Sequence, residues 1–354
     1  MARLNFVIPS LPTKPVGGVK VMFQLANRFS ERGYDVTIYY SIRRPFKNQR
    51  TPVWLRWIIS RLRMGTVAKW FVLYPSIKQR VVPSITDAYV RDADATICTW
   101  WQMAYAINDL HASKGLKCNF IQDHELWTGQ NDRVHQSYRL PLKHVVIATY
   151  LQDVVEKYSG VRPPLVNISI DNSRFALTIP VAERRPASLI MMYSEEPRKG
   201  SNYGLAALEL VKQRIPELRV TLFSVYERPS TIPAWMEFTK RPANLPQLFN
   251  QHAIFCSPSL GEGWALPPAE AMGSGCAVVC TNIGGHKDYA IDGETALLFP
   301  PENAEAMADC IYRIINDHQL RERLAAAGHK LIHTEFTWDH AVDRLECILL
   351  GKAL

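Results

Sequence analysis

Between Val36 and Thr86 the chain contains no aspartate or glutamate. The same window carries Arg43, Arg44, Lys47, Arg50, Arg56, Arg61, Arg63, Lys69, Lys78 and Arg80. The net charge is +8 overall and −2 outside this window, so one region makes the protein basic. No apolar run approaches the ~18 residues needed to span a bilayer. The opening "MARLNFVIPSLP" has no apolar h-region or cleavage site, so it is not read as a signal peptide. Cysteine is sparse, seven residues with no C-x-x-C pair, which argues against a zinc or disulfide framework. Cys98, Cys256, Cys276 and Cys280 lie in apolar strand-like contexts and are expected to be reduced core residues of a cytoplasmic protein. There is no low-complexity tract and no short repeat. What remains is an ordinary globular composition, 47% apolar and 21% charged, over 354 residues, a length that suggests two domains.

The order of elements points to α/β halves. "RLNFVIPSL" reads as a strand, "PTKPVGG" as a loop and "VKVMFQLANRFSERG" as a helix closed by Gly33, with "YDVTIYYS" as the next strand. "ATICTW", "CNFIQD" and "HVVIAT" continue the strand series. After the loop segment "PPLVNISIDNSRF" the pattern restarts, with "SLIMMYS", the helix "NYGLAALELVKQRIP" and "RVTLFSV". Strands "AIFCSPS" and "AVVCT" and three closing helices follow. The expected fold is α/β: two Rossmann-like domains facing a central cleft, with ligands at the carboxyl ends of strands. The expected limits are 1–177, 178–335 and a closing helix over 336–354.

Two stretches carry the chemistry of the second half. "SLGEGWALPPAEAMGSG" places Glu262 and Glu270 around a loop, and Pro267 and Pro268 suit the first turn of a helix. The amides of Gly263, Trp264, Ala265 and Leu266 then form an expected anion site. "EEPRKG" puts Arg198 and Lys199 after a strand, where two cations could neutralise a diphosphate. Glu270 is left to hold a ribose diol and Glu262 the hydroxyls of a sugar. In the first half Gly17 and Gly18 precede a helix and could admit a phosphate. There is no G-x-G-x-x-G, so a dinucleotide site is not supported. Asp92-Ala93-Asp94 spells D-x-D but precedes a strand, and no metal is expected from it.

"EGWALPPAEAMGSGCAVV" resembles the E-x7-E region of retaining nucleotide-sugar glycosyltransferases of the GT-B fold, glycosyltransferase family 4. "NISIDNSRF" resembles that family's inter-domain segment, and "FTWDHAVDRL" its closing helix. The second half is similar nearly end to end, the first only in its Gly-Gly loop and strand order. The resemblance implies a nucleotide-diphosphate sugar as donor and no metal. By position, Glu262 would meet the donor sugar, the amides of Gly263 to Leu266 the sugar and diphosphate, Glu270 the ribose and Lys199 the diphosphate. Gly17 and Gly18 correspond to the first-domain phosphate loop. In "FIQDHELW", His124 is similar to the family histidine beside the transferred sugar, with Asp123 next to it. "FIQDHE" also resembles rhamnan- and O-antigen-type rhamnosyltransferases, too briefly to fix the sugar. A family glycine-arginine pair is replaced by Ser194 and Glu195, with Arg198 as the expected substitute, and Asp288 stands where glutamate is usual.

The implied reaction retains configuration, with the leaving phosphate as base toward the acceptor and Lys199, Arg198 and loop amides holding its charge. "PVWLRWIISRLRM" forms a basic amphipathic helix, with Trp54, Leu55, Trp57, Ile58, Ile59 and Leu62 on one broad face. That face either packs on the first domain or meets an anionic membrane through residues 43–80; acid depletion favours the membrane. Attachment of this kind implies a peripheral position on the inner face of the plasma membrane and suits a lipid-linked glycan acceptor. Nucleic acid is not expected. A nucleotide-sugar epimerase or phosphorylase of the same fold, and a non-catalytic partner subunit, are the alternative readings.

Overall fold

The computed structural model describes residues 1–47 and 51–352, so Arg50 of the basic window lies outside the described residues. The chain forms two compact units: residues 1–168 with 338–354, and residues 169–337.

Unit one runs β1 (Arg3–Ile8), α1 (Gly17–Glu31), β2 (Asp35–Ser41), α2 (Val53–Leu62), β3 (Lys78–Val82), β4 (Ala95–Cys98), α3 (Trp101–Asn108), β5 (Leu116–Ile121), α4 (Asn131–Ser137), β6 (Lys143–Val146) and α5 (Thr149–Ser159). Among the described residues the sheet is ordered β3-β2-β1-β4-β5-β6 and every pairing is parallel. The chain steps outward from β1 to β3 and then returns to the other side of β1. That reversal makes a switch point between β1 and β4, where two loops diverge and leave a crevice.

Unit two repeats the plan with β7 (Ser188–Met192), α6 (Ser201–Arg214), β8 (Arg219–Ser224), β9 (Glu237–Lys240), α7 (Leu245–Asn250), β10 (Ile254–Ser257), α8 (Leu266–Gly273), β11 (Ala277–Thr281), β12 (Ala296–Phe299), α9 (Ala304–Asn316) and α10 (His318–Thr334). Its parallel sheet is ordered β12-β11-β10-β7-β8-β9, with the reversal between β7 and β10. Helices on both faces bury the central strands, so Leu189, Met191, Val220, Leu222, Ile254 and Cys256 lie in one core. Asn303 and Asp317 cap α9 and α10, accepting from the Ala306 and Leu320 amides. Cys98, Cys118, Cys256, Cys276 and Cys280 are buried, and all seven cysteines are free.

Three strands escape the sequence reading: β3, β9 and β12. All three are sheet edges. An edge strand pairs on one side only, and Lys78, Arg80, Glu237 and Lys240 interrupt the apolar runs of β3 and β9.

α11 (Trp338–Leu350) belongs to unit one, burying Trp338, Ala341, Val342, Leu345 and Leu349. Arg32, just past α1, pairs with Asp343 at 2.6 Å and Glu346 at 2.9 Å. Tyr34 donates to Glu346 at 2.5 Å, and Lys352 pairs with it at 2.6 Å. Burial raises the Glu346 carboxyl, but hydrogen bonds from Lys352, Tyr34 and Arg32 outweigh it and hold the group at about 2 against an ordinary 4.5. A carboxyl lowered by folding stabilises above its unfolded value and loses that contribution as pH falls through its folded value. We therefore expect the glutamate's share of stability to be full above about pH 4.5 and lost toward pH 2. Urea unfolding at a series of pH values checks this: Glu346→Gln should be less stable at neutral pH and show a shallower loss of stability across that window.

Candidate functional site

In unit two the loops after β7 and β10 meet at the sheet's switch point. β7 leads into a short 3-10 turn, Pro197–Lys199, and Gly200 then caps α6. Gly200 has φ +62°, and a Cβ there would stand 2.0 Å from the Pro258 carbonyl oxygen. Only glycine lets the lysine-bearing turn lie this close to the loop after β10. Lys199 thereby reaches Glu262, with Nζ 2.7 Å from Oε1 and 2.9 Å from Oε2. The pair is sheltered, its side chains 16% and 9% exposed. Ser259 donates to Glu262 Oε1 at 2.8 Å. Met192, Lys199, Ser257, Ser259, Glu262 and Pro267 line a depression at this point.

Arg198 takes a different position. Its Nε lies 3.2 Å from Glu196, and Nη1 donates to the Gly261 carbonyl at 3.4 Å. The Leu260 amide in turn donates to the Arg198 carbonyl at 2.7 Å. The arginine thus borders the Glu262 loop, beside the Lys199 pair.

A third loop, after β11, braces the second from beneath. A Cβ on Gly285 would meet the Glu262 carbonyl oxygen at 2.4 Å and the Glu262 Cβ at 2.7 Å. The Gly285 carbonyl accepts from the Ala265 amide at 3.1 Å, and Tyr289 donates its hydroxyl to the Ala265 carbonyl at 2.8 Å. His286 is fully buried, with Nδ1 2.8 Å from the Thr281 carbonyl oxygen. Burial lowers its pKa, so the ring stays neutral. Thr281 donates to the Ser259 carbonyl at 2.5 Å. Gly285, His286 and Tyr289 are not singled out by sequence reasoning. "GGHKDY" contains the signal, a glycine pair ahead of two large side chains, but only the fold reveals which loop they support.

These contacts revise the expected anion site. Ala265 spends its amide on Gly285, and Pro267 and Pro268 have none to give. Of the four expected amides, those of Gly263, Trp264 and Leu266 are not drawn into this contact. The Trp264 side chain is buried, its ring 4.9 Å from Tyr289 and 5.5 Å from Phe336, so it acts as a wedge under the loop. Glu270 is 6% exposed on α8, sheltered rather than open to solvent.

Unit one has its own cluster. α1 begins at Gly17 with no capping side chain. Gln122, just past β5, donates to the Gly18 carbonyl at 3.0 Å and to Thr99 at 2.8 Å, tying the loops on either side of that switch point. Asp123 accepts from the His124 amide at 2.8 Å and the Tyr150 hydroxyl at 3.4 Å. His124 Nε2 lies 3.2 Å from His135 Nε2, and His135 stacks on Tyr158 at 3.6 Å. Burial, with His135 and Lys157 nearby, lowers the His124 pKa to about 4, so its ring is neutral at physiological pH. Glu125, beside it, accepts from the Trp101 amide at 2.7 Å and is pushed by burial up to about 8. Asp92 pairs with Lys114 at 2.8 Å and Asp94 accepts from the Arg3 amide at 2.7 Å, so this D-x-D is tied into the amino end of β4.

Substitutions test the bracing and the pair. Gly285→Ala forces the Glu262 loop to move and should lower stability by roughly 1–3 kcal/mol, read from thermal unfolding. Lys199→Ala leaves a sheltered carboxylate short of its cation and should cost up to about 3 kcal/mol. Adding Glu262→Ala should recover part of that loss. Urea unfolding of both single variants and the double variant measures the coupling.

Residues 188–317 match the family described as Glycosyl transferases group 1. A phosphatidyl-myo-inositol mannosyltransferase of Mycolicibacterium smegmatis is 27% identical over 153 residues, 41% of this chain and 39% of that protein. The lipopolysaccharide core biosynthesis mannosyltransferase LpsB of Rhizobium meliloti is 34% identical over 93 residues, 26% of each chain. The chain thus spans well under half the length of these curated relatives. Anabaena Alr3699/HepE, solved in complex with UDP-glucose, superposes with a TM-score of 0.74 at 15% identity, covering 99% of this chain and 100% of that one. The chain has the GT-B fold, and its second unit carries the match to Glycosyl transferases group 1.

Proposed function

We propose that the protein is a retaining glycosyltransferase that moves a sugar from a nucleoside diphosphate to a glycan or lipid-linked glycan acceptor, without a metal ion. The observation that carries this reading is the Lys199–Glu262 pair at the switch point of unit two, held by glycine-only approaches on both sides. A nucleotide-diphosphate sugar offers groups to both partners. Its diphosphate takes the Lys199 ammonium and the amides of Gly263, Trp264 and Leu266, while sugar hydroxyls donate to Glu262. Glu270 takes the ribose, and Arg198 adds positive charge at the loop's rim. As the bond from the anomeric carbon to the diphosphate breaks, these fixed charges hold the leaving group. The acceptor oxygen bonds to the same face of the anomeric carbon, and its proton passes to the departing phosphate oxygen.

In unit one, the Gly17–Gly18 helix start offers amides suited to a phosphate, and Asp123 and neutral His124 offer hydrogen-bonding groups suited to sugar hydroxyls. The match to Glycosyl transferases group 1 and the names of the two mannosyltransferases support sugar transfer in bacterial glycan synthesis. A second reading, a non-catalytic partner subunit, draws on Ser194 and Glu195 in place of the family's glycine-arginine pair.

Thermal unfolding with UDP, GDP, dTDP, ADP and their sugars, dTDP-rhamnose included, in the presence of a chelator separates the two. One nucleotide should stabilise the protein, by about 2.7 kcal/mol at a hundred times its dissociation constant. Lys199→Met should abolish the shift. Stabilisation by none of them would overturn the transferase reading and favour the partner subunit.

A further inference from the structure

Helix α2 is mounted the wrong way round for a helix that only covers a core. Trp54, Leu55, Ile58, Ile59 and Leu62 share one face of it. That face points outward: Trp54 is 64% and Leu62 83% exposed, and Leu55, Ile58 and Ile59 are exposed as well. The half-buried side is the one with Val53, Arg56, Trp57 and Ser60. Trp57 is its anchor, donating from Nε1 to the Val81 carbonyl on β3 at 2.9 Å. Arg61 lies 4.8 Å over the Trp57 ring. The expectation that all six apolar residues form one face is thus corrected: Trp57 belongs to the docked side. No residue of α2 is buried. A contiguous apolar surface of this kind on a folded unit marks a place where something else binds.

The surrounding charge says what. Arg61 and Arg63 at the end of the helix and Arg43, Lys47 and Arg80 in the chain on either side are exposed, in a stretch that contains no carboxylate. A second copy of the chain would bring two such fields together and be repelled. A nucleic acid would use the cations and leave the apolar stripe in water. An anionic bilayer uses both, the side chains entering the headgroup region and the arginines meeting lipid phosphates. At ten residues α2 is about 15 Å long, too short to cross a membrane and suited to lying in its surface. Among the described residues no helix is long and apolar enough to span one.

We propose that α2 is a membrane-surface anchor whose outward apolar face docks on an anionic lipid leaflet. The proposal stands on unit one alone and does not depend on the donor reading of unit two. The test is co-sedimentation of the full chain with vesicles of phosphatidylcholine alone and of phosphatidylcholine with phosphatidylglycerol. Binding should require phosphatidylglycerol and weaken with added salt. Trp54→Ser with Leu62→Ser should lower partitioning by about tenfold or more, with an unchanged melting temperature because both side chains are exposed. Arg43→Gln with Arg63→Gln should remove the preference for phosphatidylglycerol while leaving the stripe in place. Vesicle binding that neither pair of substitutions reduces, or no binding by the unaltered protein, overturns the proposal. A reversible dimer that Leu62→Ser dissolves, seen in sedimentation equilibrium, would assign the face to a second copy instead and overturn it equally.

Discussion

The candidate site depends on how closely three loop backbones approach one another at the end of the unit-two sheet. Gly200 lies against the Pro258 carbonyl and Gly285 against the backbone of Glu262, each at a distance that no side chain tolerates. Between them the loop after β10 is held from both sides. The ion pair of Lys199 and Glu262 is a consequence of this packing, because it requires the turn after β7 and the loop after β10 to be in register. Tyr289, Thr281 and Gly285 supply hydrogen bonds that hold the loop's backbone in place. A rigid support under a sheltered charge pair is the arrangement in which electrostatics acts most strongly.

Unit one solves the same problem with different parts. Gln122 ties the start of α1 to the end of β4, and Trp100, at that end, holds φ at +80°, unusual for a bulky residue. The carboxyl of Glu125 and the ring of His124 are both pushed by burial toward their neutral forms. Unit one therefore sets near-neutral polar groups and aromatic rings at its strand ends, where unit two sets a charged pair. A different character appears on α2, where an exposed apolar stripe lies within a stretch that has basic residues and no acidic ones.

Much of this was legible in the sequence. Continuous apolar runs bounded by glycine and proline located the central strands, since a parallel sheet buried on both faces leaves no alternation to read. The carboxylate spacing around "EGWALPP" and the lysine-glycine pair at Lys199 and Gly200 pointed to one edge of one sheet, because strand order alone sends those loops to the same end. Helical spacing marked α2 as an amphipathic helix, and the acid-free window around it left open whether its apolar face packs on the first domain or meets an anionic surface. The edge strands β3 and β9 were lost because charged residues broke their apolar pattern, and β12, four residues long, is too short to stand out.

Sequence by itself determined the order of the central strands and their helices, the two-unit plan and which residue types lie in the loops at the strand ends. Tertiary structure decided what those residues are able to do. It showed that Ala265 has already spent its amide, that Trp264 is a wedge, that Glu270 is sheltered, and that Gly285, His286 and Tyr289 hold the loop. It also turned the apolar face of α2 outward, a choice that periodicity cannot make, because a helical wheel gives the relative placement of side chains and not the direction in which the helix is mounted. Composition and spacing are properties of the chain in order. Hydrogen-bond partners, shelter from water and close backbone approach arise between segments far apart in that order, and only folding brings them together.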